Sequence, residues 1–172
     1  QSIGQLAEPQ LTAAAGRIAG EWQSLSGAVA GRSIPGPQSL ARHTALIREQ
    51  LVLIEDISHV SGIVLHPEAA GYFLQLAVLT HTPRLTETLG QMRARGALLL
   101  ARGEATAEER ARLQSLADVT RMHLDDVRKS LDLALAAKPA LREKIAAPLG
   151  SATAAVDEVL KLVDEQILRP EK

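Results

Sequence analysis

The stretch TAEERARLQSLADVTRMHLDDVRKSLDLALAAKP, residues 106–139, carries the clearest structural signal in the chain. Thr106 with Glu109 three residues later predicts a capping box at the start of a helix. Lys138 precedes Pro139, which disfavours a helical conformation at Lys138. Between these ends, seven side chains recur at alternating spacings of four and three residues and so share one stripe of a helix: Leu113, Ala117, Thr120, Leu124, Val127, Leu131 and Ala134.

The same spacing extends outward from this stretch in both directions. One stripe predicts a helix that ends near Ala30, before a turn over residues 31–37 (GRSIPGP). Two neighbouring stripes run from Gln38 to Leu65, and a further stripe follows Pro83. We expect a new helix at Pro67 and at Pro83, with a kink or break near each. A final stripe from Ala152 to Ile167 is expected to follow a break, formed by Pro148, Gly150 and Ser151.

Composition favours helices throughout. The 172 residues are 46% hydrophobic but only 2% aromatic, and Ala and Leu, both strong helix formers, recur in every segment. The sequence therefore predicts an all-α fold, an elongated antiparallel helical bundle of four to six helices that forms a single domain over residues 1–172. Five principal helices can be counted between Gln10 and Ile167. A bundle whose two ends lie on the same side needs an even number of helices, and for that arrangement we expect either a further upstream helix or a reversal within one helix.

Several function classes are disfavoured by the sequence. The net charge of -1 does not suit binding to nucleic acid, and the absence of cysteine removes thiolate metal sites and cysteine nucleophiles. No phosphate-binding loop, G-x-S-x-G or Glu-x-x-His pattern occurs. Glu55 and His59 share a helical face but have no partner motif. We expect neither catalysis nor a metal or other cofactor.

Polar side chains interrupt the apolar stripes of the second helix at five positions: His43, Thr44, Gln50, Ser58 and Ser61. One interpretation is that the hydroxyls bond back to carbonyl groups of the preceding turn and that the histidine is satisfied internally. The alternative is a small polar cavity for a ligand, with an anionic group paired by an arginine. Arg84, Arg93 and Arg121 are the available cations.

Residues 42–100, RHTALIREQLVLIEDISHVSGIVLHPEAAGYFLQLAVLTHTPRLTETLGQMRARGALLL, contain several ordered short blocks. This run resembles the sensory region of bacterial transmembrane chemoreceptors, the methyl-accepting chemotaxis proteins, and of related sensor proteins. The matching blocks are residues 43–47, then Ser61, Gly62, Leu65 and Pro67, then residues 72–74, and finally Pro83, Leu89, Gly90, Arg93 and Gly96. His66 and Leu76 replace two acidic residues of the family pattern, so we expect a different ligand.

The resemblance implies a periplasmic, all-helical, dimeric ligand-binding domain of an inner-membrane receptor, joined to the membrane only through flanking segments. The resemblance also implies that this domain signals to a cytoplasmic region of the receptor and that both of its ends enter the same membrane. The alternatives are the input domain of a histidine kinase or diguanylate cyclase, and a purely structural helical interaction module. From the matched blocks and the stripe geometry we predict a site for a small organic acid or other anion, with these ligand-binding residues: His43, Ser58, Ser61, Tyr72 and Arg93.

Overall fold

The structure is a computed structural model that describes residues 9–169. Helices make up almost all of these residues, and no strand occurs among them, so the predicted all-α bundle is confirmed. The chain divides into two compact units, residues 1–66 and residues 67–172.

From residue 9 onward, the first unit is a pair of packed helices. Helix α1 spans Pro9–Ala30 and helix α2 spans Gly36–Val60, followed by a short 3-10 helix at Ile63–Leu65. Ile18, Leu25 and Leu46 form its buried core. α1 ends at Ala30 as predicted, but the turn is shorter than predicted, because Gly36 and Pro37 already belong to the first turn of α2. Proline is accepted there because the first turn leaves its N–H groups without helical partners.

The described residues of the second unit form four α-helices and two π-helical segments. Helix α3 (Ala69–Gln75) continues through a π-helical segment (Leu76–His81) into α4 (Thr82–Arg102). Helix α5 (Ala107–Ala137) precedes a 3-10 turn (Pro139–Leu141), α6 (Arg142–Val163) and a second π-helical segment (Asp164–Leu168). The main core joins α4, α5, α6 and the last segment through Met92, Leu99, Leu113, Ala117, Leu160, Val163 and Ile167.

The long helix predicted from residues 106–139 is confirmed in detail. Thr106 accepts a hydrogen bond from the backbone N–H of Glu109, and the Glu109 carboxylate accepts one from the N–H of Thr106. The side chain of Arg102, at the end of α4, also pairs with Glu109. These contacts lower the pKa of Glu109 to about 2, the hydrogen bond from Arg102 contributing most. The α4–α5 connection is therefore fixed by a capping box and an ion pair together.

The prolines behave differently from one another. A break does occur at Pro67, but α3 begins two residues later than predicted, at Ala69. Pro83 lies in the first turn of α4, as predicted, and the chain stays helical through it. Proline lacks an N–H and its ring displaces the carbonyl group four residues earlier, at Leu79. That residue lies in the π-helical segment, which is one way for a helix to absorb such a defect.

The break predicted at Pro148, Gly150 and Ser151 is wrong. α6 runs without interruption from Arg142 to Val163, with Pro148 inside it. Pro148 is exposed, so water can bond to the carbonyl group of Lys144 that loses its helical partner. Among residues 9–169, no helix is both long enough and apolar enough to span a membrane.

Candidate functional site

Three of the predicted ligand-binding residues lie in the first unit, and their polar groups bond to their own helix. The imidazole Nδ1 of His43 lies 2.8 Å from the carbonyl oxygen of Ser39. Ser58 is buried, and its hydroxyl donates to the carbonyl group of Ile54 at 2.7 Å. The Ser61 hydroxyl donates to the carbonyl group of Ser58 at 3.2 Å. These are the back-bonds of the first interpretation, in which the polar residues are satisfied internally.

The other two predicted residues lie in the second unit. Tyr72, on α3, is 43% exposed, and its ring packs edge-on against Phe73. Arg93, on α4, is exposed and lines a groove of about 760 Å³ between α4 and the C-terminal end of α6. The rest of that lining is mostly apolar, for example Leu100, Val159 and Leu162. Arg93 is thus a cation beside a largely apolar surface, and the other polar residues of the lining are Thr86 and Gln166.

The structure does not bring the five predicted residues together around one small ligand. His43 and Ser58 lie on the same continuous helix, about four turns or roughly 22 Å apart. Tyr72 and Arg93 are further apart along the helical run of the second unit. Ser58 and Ser61 are neighbours, so they remain a predicted pair of hydroxyls, and Arg93 remains a candidate anion partner on its own.

A different polar group forms where α3, the first π-helical segment and α4 pack against α5. Two contacts set the register of this antiparallel packing. Glu68 approaches Lys138 at 3.9 Å, and His81 Nδ1 approaches the Asp126 carboxylate at 3.9 Å. His81 is the last residue of the π-helical segment, so that segment ends directly against α5. The same register places Arg84, one turn further on, opposite His123.

His123 is the central residue of this group. Its Nδ1 atom is buried and has no hydrogen-bond partner. Burial lowers the pKa of His123; the nearby Asp126 carboxylate opposes this shift, and Arg84 and His81 add to it. All three charged or titratable groups therefore lie close enough to act on the His123 ring. We call His81, Arg84, His123 and Asp126 the π-junction cluster.

A second buried polar group lies at the other end of the same π-helical segment. Gln75 is the last residue of α3, and neither its amide nitrogen nor its amide oxygen has a hydrogen-bond partner. Buried polar atoms in folded proteins are almost always bonded, so each exception needs a physical reason. π-helical segments are themselves rare and are frequent at functional sites. Two unusual features, the unbonded polar atoms and the π-helical segment, therefore coincide here.

A polar pocket of about 360 Å³ between α5 and α6 is a weaker candidate. Its cations already have acidic partners. Arg128 pairs with Asp157 at 2.7 Å, and Arg121 pairs with Asp118 at 2.9 Å. A bound anion would have to displace a carboxylate from each arginine. These charges are better explained as ion pairs, one of which links α5 to α6.

Comparison with known families decides what kind of domain this is. A family model for NIT domains, the nitrate and nitrite sensing family, matches residues 3–169. The chain belongs to this family. NIT domains are extracytoplasmic sensor domains of bacterial signalling proteins, so the predicted periplasmic sensor domain is confirmed. No curated relative and no solved structure matches the chain.

Membership of the NIT family indicates which ligand a binding site in this domain should suit. Nitrate and nitrite are small planar monovalent anions, and they are recognised by N–H donors and positive charge. The π-junction cluster supplies a guanidinium and two imidazoles, whereas the serines of α2 supply hydroxyls already bonded to backbone carbonyls. Across residues 9–169, no set of three or more His, Asp or Glu side chains is placed to hold a metal ion.

Sequence reasoning named one member of the π-junction cluster, Arg84, as an available cation and missed the others. His81 and His123 are distant in sequence and become neighbours only through the packing of α5. The one local signal was Pro83, where a disturbed helix was expected. It marked the region but not the residues that face each other across it.

Proposed function

We propose that this chain is the nitrate- or nitrite-binding domain of a bacterial chemoreceptor, which detects the anion outside the cytoplasm and passes the signal to a cytoplasmic region. The match of the NIT family model to residues 3–169 carries this proposal. The sequence blocks between Arg42 and Leu100, which resemble those of chemoreceptors and related sensor proteins, support a sensory role. A small inorganic oxyanion replaces the broader class of organic acids as the preferred ligand.

The output of the receptor depends on its cytoplasmic region. The input domain of a histidine kinase or a diguanylate cyclase would have the same fold at this end of the chain. The sequence that follows Lys172 in the intact protein discriminates between them. A methyl-accepting signalling region supports the proposal, whereas a kinase or cyclase domain contradicts it and leaves the sensing role intact.

The intact receptor is proposed to be a parallel homodimer held in the inner membrane by flanking segments. Transmembrane signalling by relative helix motion requires two copies side by side. Analytical ultracentrifugation of the complete sensor region of the receptor tests this, and a monomer at high protein concentration with or without nitrate contradicts it.

The functional test uses the intact receptor in membranes with its kinase. Addition of nitrate or nitrite is expected to change the kinase activity in a saturable way, while chloride at the same ionic strength is expected to have no effect. The chloride control is needed because added salt screens charges in general. Equal responses to nitrate, nitrite and chloride would contradict nitrate or nitrite sensing.

A further inference from the structure

The π-junction cluster combines three features that suit an anion site: donors on two elements, an unbonded buried ring nitrogen and a weakly held carboxylate. It offers N–H donors from two packed elements, the π-helical segment with α4 on one side and α5 on the other. One ring nitrogen, His123 Nδ1, is buried without a partner. Its single acidic member, Asp126, approaches His81 at 3.9 Å, which is too long for a hydrogen bond.

An unbonded buried imidazole nitrogen is unfavourable because it has lost its bond to water and gained none in the protein. A planar oxyanion can accept hydrogen bonds from several donors at once. A guanidinium offers a fork of N–H groups, and a neutral or protonated imidazole offers one or two more. These donor groups match the needs of nitrate or nitrite better than those of a metal ion, because a guanidinium does not bind metals.

We propose that nitrate or nitrite binds at the π-junction cluster, where Arg84, His81 and His123 donate to it and the Asp126 carboxylate competes with it. This assignment rests on the proposed function, because the ligand class comes from there. When the anion binds, it takes the place of Asp126 as the partner of His81 and supplies the partner that His123 Nδ1 lacks.

The role of Asp126 gives the proposal its sharpest consequence. The side chain of Asp126 is 43% exposed, so its replacement by asparagine leaves the core intact. Asp126→Asn removes a like charge from the site and replaces the competing carboxylate by a neutral amide, whose oxygen is a weaker acceptor. Affinity for nitrate or nitrite is therefore expected to rise by about threefold or more, since an exposed charge interaction changes an equilibrium by about this factor. Asp132→Asn, an exposed change on the same helix, serves as the matched control and is expected to leave affinity unchanged.

The donors are tested by removal and by conservative replacement. Arg84→Gln and His123→Leu are each expected to weaken binding by about tenfold or more, because each removes a hydrogen bond to a charged ligand. His123→Asn keeps an N–H donor near the position of Nδ1 and is expected to retain most of the affinity. Arg112→Gln, on the exposed face of α5, is the control for loss of a positive charge. Arg93→Ala tests the rival anion partner in the α4–α6 groove.

The measurement is calorimetric titration of the folded domain with sodium nitrate and sodium nitrite, together with NMR of the histidine imidazoles. In the wild type, the His123 ring resonances are expected to shift with the same saturation curve as the calorimetric signal. If nitrate or nitrite binds but its affinity is unchanged in Arg84→Gln and Asp126→Asn, the π-junction site is wrong and the proposed function stands. Loss of binding in Arg93→Ala alone moves the site to the groove. If neither anion binds the wild-type domain, both proposals fail.

Discussion

Gly96 tests how the C-terminal end of the chain packs onto α4. It is buried in the middle of that helix, and a Cβ atom added there would lie 3.4 Å from Cδ1 of Ile167. That distance is an ordinary van der Waals contact, so Gly96→Ala fits without rearrangement. Alanine favours a helix over glycine by about 0.5–1 kcal/mol. We therefore expect Gly96→Ala to raise the melting temperature by roughly 1–4 °C in a chain of this size.

A larger side chain at the same position should lower the stability instead of raising it. Gly96→Leu places additional carbon atoms where Ile167 already lies, and overpacking of this kind costs about 1–3 kcal/mol. Gly90 is the matched control, because it lies in the same helix and has no atom within 4 Å of an added Cβ. Gly90→Ala should therefore gain the same helix propensity, and Gly90→Leu should be tolerated.

Thermal melting and urea denaturation, both followed by circular dichroism at 222 nm, measure all four variants, with the slope against urea concentration as a check that unfolding stays two-state. The expected order of stability places Gly96→Leu lowest by a clear margin. If Gly96→Leu is as stable as Gly90→Leu, then Ile167 does not pack on Gly96, and the C-terminal π-helical segment is not part of this core.

Three further predictions follow from the same structure. Leu113 is fully buried in the main core, so Leu113→Ala should lower the free energy of unfolding by about 2–5 kcal/mol, measured by urea denaturation. Leu133→Ala, at an exposed position, is the control and should cost far less. Equal losses in the two variants would contradict the core assignment. Because the folded-state pKa of Glu109 is about 2, below the ordinary value of 4.5, its contribution to stability is present above pH 4.5 and is lost as the pH falls toward 2. Melting curves should therefore show that Glu109→Gln is less stable than the wild type at pH 7 and similar to it near pH 2. A difference in melting temperature that stays the same at both pH values would exclude the Glu109 charge as its cause. Glu158→Gln, at an exposed position of α6, is the control. Burial lowers the pKa of His123, opposed by Asp126 and assisted by Arg84 and His81. An anion that bonds to the ring should raise that pKa again, so calorimetric affinity for nitrate should increase as the pH is lowered through the range in which His123 takes up its proton. His123→Asn should reduce this dependence on pH, and an unchanged dependence would mean that His123 does not contact the ligand.

The helical framework could be predicted because it depends on local periodicity. The stripe from Leu113 to Ala134 and the Thr106–Glu109 capping box are both encoded within a few residues, and both are present in the structure. Pro148 misled the prediction because a proline inside a helix is tolerated where the freed carbonyl group faces water. The π-helical segment before Pro83 escaped prediction because residues 76–81 carry no distinctive composition, and the extra residue per turn shows only in the backbone.

The candidate site was harder to predict because stripe analysis tells which face a residue occupies but not which residues of another helix meet it. His43 and Ser58 both interrupt the apolar stripes of α2, yet they lie about four turns apart along that helix. His81 and Asp126 gave no signal in the sequence, since each reads as an ordinary polar position on its own helix. They meet because α5 packs antiparallel to the preceding helical run.

The most direct test of the central claim is a calorimetric titration of the folded domain with sodium nitrate and sodium nitrite, with sodium chloride at equal ionic strength as the reference. The account predicts saturable binding of nitrate or nitrite with one site per chain and no saturable signal for chloride. Bound ligand should also stabilise the fold by about 2.7 kcal/mol at a hundredfold excess over the dissociation constant. A folded domain that binds neither nitrate nor nitrite, or that binds chloride equally well, would contradict it.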